Sequence, residues 1–219
     1  MSGQFHIPGG DLNRLPARIT FCANSAEAGL ASTDAATAYS AAVGLMTCYN
    51  SDTTNNRITI IPRRLRLTAK AVNTAGVDFR LAIALDSTNR YTSGGTALTG
   101  FATEIDARTG YTAYTSKATI NAGLLVTAAA SSAEKIHVPT MMKEVIFAID
   151  ETIELWWGAN GPASIDATDR SNIVTCVPPM WIGPGCTMVI HEVSASQSAD
   201  PKFQFEFWYE EWGHVRTES

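Results

Sequence analysis

His191-Glu192 sets a metal-ligating imidazole beside a carboxylate, the pairing from which small barrels build a catalytic metal site. An open catalytic site still takes three protein ligands, with a second histidine two residues along the strand and further donors on an adjacent strand. Here positions 189 and 193 are both valine, and His6, His137 and His214 stand alone. The expectation is a structural histidine and no metal. Asp150, Glu151 and Glu154, or Glu206 with Glu210, offer paired carboxylates for glycosidic acid–base work. On a strand Glu206 and Glu210 share a face but stand roughly 13 Å apart at ~3.3 Å per residue, too far for either glycosidase geometry. A salt-bridged strand face is the simpler reading.

Nucleophile chemistry finds no better footing. Serines are plentiful, but the sequence holds no G-x-S-x-G elbow, no G-x-x-x-x-G-K-[ST] phosphate loop and no H-E-x-x-H. Cys22, Cys48, Cys176 and Cys186 are scattered without a C-x-x-C pair, so buried free thiols in a reducing compartment are expected. Arg63, Arg64, Arg66 and Lys70 form the one basic row, and pairing with an acidic face such as that of Glu206 and Glu210 accounts for it without a phosphate ligand. An enzyme and a cofactor are therefore not expected.

The elements that carry these residues have period two. In Val77–Asp86 every odd position is large and apolar, as in a half-buried strand. Leu65, Leu67, Ala69 and Ala71 alternate with Arg64, Arg66, Thr68 and Lys70. The turn composition of Asn73-Thr74-Ala75-Gly76 predicts an antiparallel hairpin between the two segments. Further strands are expected at Ala17–Cys22, Arg57–Ile61, Thr99–Asp106, Tyr111–Ile120, Cys186–Val193 and Lys202–Trp212. Val145–Asp150 and Thr152–Trp157 read as a late pair. Turn clusters such as Ser93-Gly94-Gly95 and Gly183-Pro184-Gly185 punctuate them. Ser32–Leu45 breaks the period: it is Ala-rich and reads as a short helix capped by Thr33 or Asp34, or as an ordered loop. No internal repeat or linker stands out. Many short strands with such punctuation point to an all-β fold in one domain, a sandwich or a barrel; a single antiparallel β-sandwich over residues 16–219 behind an N-terminal arm of residues 1–15 is expected.

Two strands show more than their period. Phe203, Phe205, Phe207 and Tyr209 share one face of the final strand and must be core. Gln204, Glu206, Trp208, Glu210 and Trp212 share the other. Aromatics among charges suit a face covered by another subunit or a ligand, or else one packed under a loop. Trp156 and Trp157 are adjacent and point opposite ways. Ile153 and Leu155 define the inner side, so Trp156 faces out. Cys186–Val193 is apolar on both faces, which calls for cover from a loop or from a second copy.

Lys and Arg total 16 against 21 Asp and Glu in 219 residues, a net charge of −5, which disfavours nucleic acid as a partner. No apolar run approaches the ~20 residues of a membrane helix. Met1–His6 lacks the basic start and apolar stretch of a secretion signal, so synthesis in a cytoplasm is expected.

The run Pro178-Pro179-Met180-Trp181-Ile182-Gly183-Pro184-Gly185 leading into Cys186–His191, with the aromatic strand Phe203–Trp212, resembles the ending of small jelly-roll proteins of tailed phages. These are capsid cement or decoration proteins and related virion adhesins. The resemblance implies a jelly roll, no catalytic residues, and a homo-oligomer, a trimer above all, that binds the major capsid protein on the outside of the virion. Phe5, Ile7, Trp156, Trp208 and Trp212 are then the expected contact residues, with Phe5 and Ile7 carried on the arm. A receptor- or carbohydrate-binding tail-fibre module and a single jelly-roll shell protein are the alternatives.

Overall fold

The computed structural model describes residues 18–32, 42–54, 58–71, 79–102, 115–128, 135–137, 148–158, 172–194 and 201–213. The N-terminal arm with Phe5 and Ile7 lies outside them. Among the described residues there is no helix. The strands are β1 (Arg18–Asn24), β2 (Leu30–Ala31), β3 (Val43–Asn50), β4 (Ile58–Ala71), β5 (Phe79–Asp86), β6 (Tyr91–Ser93) and β7 (Thr96–Leu98). They continue with β8 (Gly100–Ala102), β9 (Ala118–Ala128), β10 (Lys135–His137), β11 (Thr152–Trp157), β12 (Asn172–Val177), β13 (Thr187–Ser194) and β14 (Lys202–Gly213).

They form two sheets, one ordered β12-β11-β4-β14-β1-β8 and the other β10-β5-β13-β3-β9-β6. The pairs β1·β14, β3·β13, β4·β11 and β5·β10 are all antiparallel and nest inside one another along the chain, like the rungs of one long hairpin. Successive rungs fall in alternate sheets. That is a two-stranded ribbon rolled around itself, the topology of a jelly roll. The strands β6–β9 are an insertion between β5 and β10 that widens both sheets, β9 beside β3 and β8 beside β1. Only β12, parallel to β11, departs from antiparallel pairing among the named strands.

One hydrophobic cluster lies between the sheets. Alternation along β14 supplies its middle: Phe203, Phe205, Phe207 and Tyr209 are completely buried, as expected of them. Tyr209 stacks on Phe21 at 5.2 Å and on Phe207 at 5.3 Å, and Trp157 meets Phe207 edge-on at 6.2 Å. Each such ring contributes roughly 1.5–3 kcal/mol by leaving water.

Several expectations need correction. The segments around Leu65 and Leu81 are not a hairpin: β4 pairs with β14 and β11, while β5 pairs with β13 and β10 in the opposite sheet. Alternation shows that each strand buries one face, and both do, across the sandwich from one another. Arg57 lies outside the described residues, and Ile58–Ile61 and the Leu65 segment are one strand, β4, continuous through Pro62. Its register against β14 steps from Trp208↔Arg64 to Tyr209↔Pro62, which leaves Arg63 as the extra residue of a β-bulge. A bulge is where a strand tolerates a proline. Of the expected late pair, Val145–Phe147 lie outside the described residues, Ile149 and Asp150 make a turn, and β11 pairs instead with β4 and β12. Of the Ala-rich segment, residues 33–41 lie outside the described residues, and Val43–Leu45 already belong to β3. All four cysteines are free, yet only Cys22 and Cys48 are buried, whereas Cys176 is exposed.

The two-sided strand β13 is buried on both sides within a single chain. Met188 and Ile190 face the core, while Val189 and His191 on the opposite side are equally inaccessible. The cover is therefore the chain's own, and this strand gives no argument for a second copy.

Candidate functional site

His191 is completely buried, with Nδ1 2.7 Å from the Val43 carbonyl. No cluster of three His, Cys, Asp or Glu that could hold a metal occurs among the described residues. The aromatic row of β14 fills the middle of the space between the sheets.

The outer face of the first sheet carries a repeated device. In Glu154-Leu155-Trp156, Glu206-Phe207-Trp208 and Glu210-Glu211-Trp212 the indole N–H donates to the carboxylate two residues earlier, at 2.8, 2.7 and 2.9 Å. Period two puts each glutamate and its tryptophan on one side, and strand pleating holds them within reach. Arginines complete the face. Arg64 on β4 bonds Glu154 at 2.7 Å on one neighbouring strand and Glu206 at 3.3 Å on the other, and Arg66 stands 3.5 Å from Glu154. Arg63 reaches Glu210 at 2.7 Å because the bulge at Pro62 leaves both Arg63 and Arg64 outside. Arg18 bonds the same carboxylate. Guanidinium groups also lie over rings, Arg64 over Trp156 at 5.2 Å and Arg18 over Trp212 at 5.9 Å.

Burial pushes the carboxyls of Glu154 and Glu210 up, but their hydrogen bonds from arginine and indole outweigh it and hold both below the ordinary value. The basic row thus pairs with the acidic face, as expected. Trp156 faces out, Trp208 is half-buried, and Trp212 is 39% exposed.

A different tryptophan is the most exposed. Trp181 is 72% accessible, although its neighbours Met180 and Ile182 are buried. Ile182 exchanges two backbone hydrogen bonds with Ile60, at 3.0 and 2.8 Å, and its carbonyl accepts a third from the Asn50 amide at 3.0 Å. The backbone beside Trp181 is therefore pinned, with Ile182 turned into the core and the indole on the outside. With Leu85, Pro178, Pro179 and Met180 it lines a shallow groove of about 390 Å³. The expected contact set omitted Trp181. The signal for it was the in-out-in order Met180-Trp181-Ile182 within a proline- and glycine-stiffened stretch.

At the end of the sandwich Glu211 turns inward and accepts Ser116 Oγ at 2.6 Å and the backbone N–H groups of Lys117 at 2.6 Å and Ala118 at 3.2 Å. Ser116 Oγ lies 2.7 Å from Tyr209 Oη. This carboxylate fastens the start of β9 to β14. Set against protein-family models, curated proteins and solved structures, the chain matches none.

Proposed function

We propose that the chain is a non-catalytic structural protein of a virion, a capsid-associated jelly roll that acts through its surface in many copies bound to the shell. The observation that carries this reading is the filled interior: Trp157 and the β14 aromatics occupy the space between the sheets, while Trp181, Trp156, Trp208 and Trp212 are turned outward. Trp181 is the residue we assign to the shell, since a large exposed tryptophan ring is a preferred anchor at interfaces. Modest contacts repeated over a lattice add to firm attachment. The test is cosedimentation with shells that lack the chain. Binding by the native chain and its loss in Trp181→Ala, with the fold intact, supports the reading. Failure of the native chain to sediment with any shell sinks it.

The exposed Trp181 also favours a second reading, a glycan-binding module in which a sugar ring stacks on the indole. Binding on a glycan array that is lost in Trp181→Ala would select it over the first.

A further inference from the structure

We infer that the outer face of the β12-β11-β4-β14-β1-β8 sheet is a self-association surface, packed in solution against the same face of a second copy. Register places Cys176, Trp156, Arg64, Trp208, Cys22 and Phe101 in one lateral row, one residue from each of the six strands. The row ends in Phe101, 67% exposed on the edge strand β8. Three of the chain's five tryptophans and four arginines lie on this face. Tryptophan and arginine are the residues that dominate binding energy at protein interfaces.

Charge decides the occupant. On this face Glu154, Glu206 and Glu210 already pair with Arg18, Arg63, Arg64 and Arg66, and the three indole N–H groups already have acceptors. A polyanion would have to displace those carboxylates, and a strongly basic partner would have to displace the arginines. With four arginines against three fully paired glutamates the face is close to neutral, so a second copy can lie on it about a two-fold axis without a large like-charge penalty. The size fits as well. Five inter-strand steps of ~4.8 Å by ~26 Å, the mean length of these six strands, give on the order of 600 Å² per copy, or ~1,200 Å² for two, at the lower end of stable interfaces.

This inference rests on the multi-copy reading above, yet the two fail separately: a monomer that sediments with shells sinks only this one. The experiment is light scattering on the native chain from micromolar to millimolar concentration, with acrylamide quenching of tryptophan fluorescence on the same samples. The expected result is a rise to twice the chain mass, with quenching falling as the mass rises. Phe101→Glu should keep the mass at that of one chain, and Trp181→Ala, off this face, should still double. Trp212→Ala repeats the test should Phe101→Glu not fold. A single-chain mass at millimolar concentration overturns the inference. So does a doubled mass that survives both face variants, or a glycan that shields the tryptophans of a single-chain species.

Discussion

The Arg64 guanidinium lies 5.2 Å from the centroid of the Trp156 ring while bonding Glu154 on β11 and Glu206 on β14. One side chain thus ties three adjacent strands, and three-quarters or more of it is out of water. Arg64→Leu should destabilise the fold by about 2 kcal/mol in urea unfolding, the scale of charge-assisted hydrogen bonds lost at a partly buried site. Arg64→Lys should recover less than half, because an ammonium cannot fork to two carboxylates and stack on a ring at once. Full recovery by lysine would show that only the charge matters.

The same face makes stability depend on acid. Glu154 and Glu210 have folded-state values below the ordinary 4.5, so their contribution is present above 4.5 and is lost as pH falls through the lower folded values. The urea midpoint should hold steady near neutrality and drop as pH is taken below 4.5. Arg63→Ala removes one partner of Glu210, raises that carboxyl, and should flatten the drop. An unchanged slope in this variant would place the acid sensitivity elsewhere.

Gly100 sits on the inner side of β8, where an added Cβ would fall 1.9 Å from Tyr209 Oη. Tyr209 is stacked on two rings and held by Ser116, so it cannot swing aside. Gly100→Ala should cost about 1–3 kcal/mol, as overpacking does. Adding Tyr209→Phe removes the clashing oxygen, so the double variant should be more stable than the sum of the two predicts. Strict additivity in thermal melts would exclude the clash.

Trp181 and Ile182 are chain neighbours with opposite surroundings. Trp181→Ala should leave stability within about 0.5 kcal/mol of the native chain, the usual range for surface changes. Ile182→Ala opens a cavity in the core and should cost about 2–5 kcal/mol. A large loss from Trp181→Ala would mean that the ring is covered in solution.

The thiols should react in sequence. Cys176 is exposed, whereas burial and the neighbouring Glu206 push the Cys22 thiol up to about 11, and burial raises Cys48 further still. A disulfide reagent at pH 8 should titrate Cys176 rapidly in the folded chain diluted to its single-chain mass, and reach Cys22 and Cys48 only in denaturant. Rapid reaction of Cys48 without denaturant would indicate local opening of β3.

Side-chain parity was legible in the residues and strand partnership was not. The four inward aromatics of β14 and the outward Trp156 follow from period two alone, because a pleated strand leaves no other choice. The supposed hairpin between β4 and β5 failed because alternation reports burial without naming what lies across the hydrogen bonds. A ribbon that rolls sends consecutive segments to opposite sheets. The bulge at Arg63 was hidden for a related reason, being defined only by the register of β14. The salt-bridged face was expected, yet the Glu-x-Trp device that repeats in it passed unnoticed, since three short matches at uneven spacing do not look like a repeat. Trp181 escaped because its exposure depends on the Ile60–Ile182 contact across more than a hundred residues.

The nested pairing has a kinetic consequence. β14 lies between β1 and β4, so during synthesis the first sheet has no centre until residue 202 and beyond have left the ribosome. Until then β1 and β4 wait with open edges, and every outer rung of the roll joins segments far apart in the chain. Such long-range closure is slow and exposes sticky edges while it lasts. A chain truncated before Lys202 should therefore aggregate rather than yield a smaller sandwich.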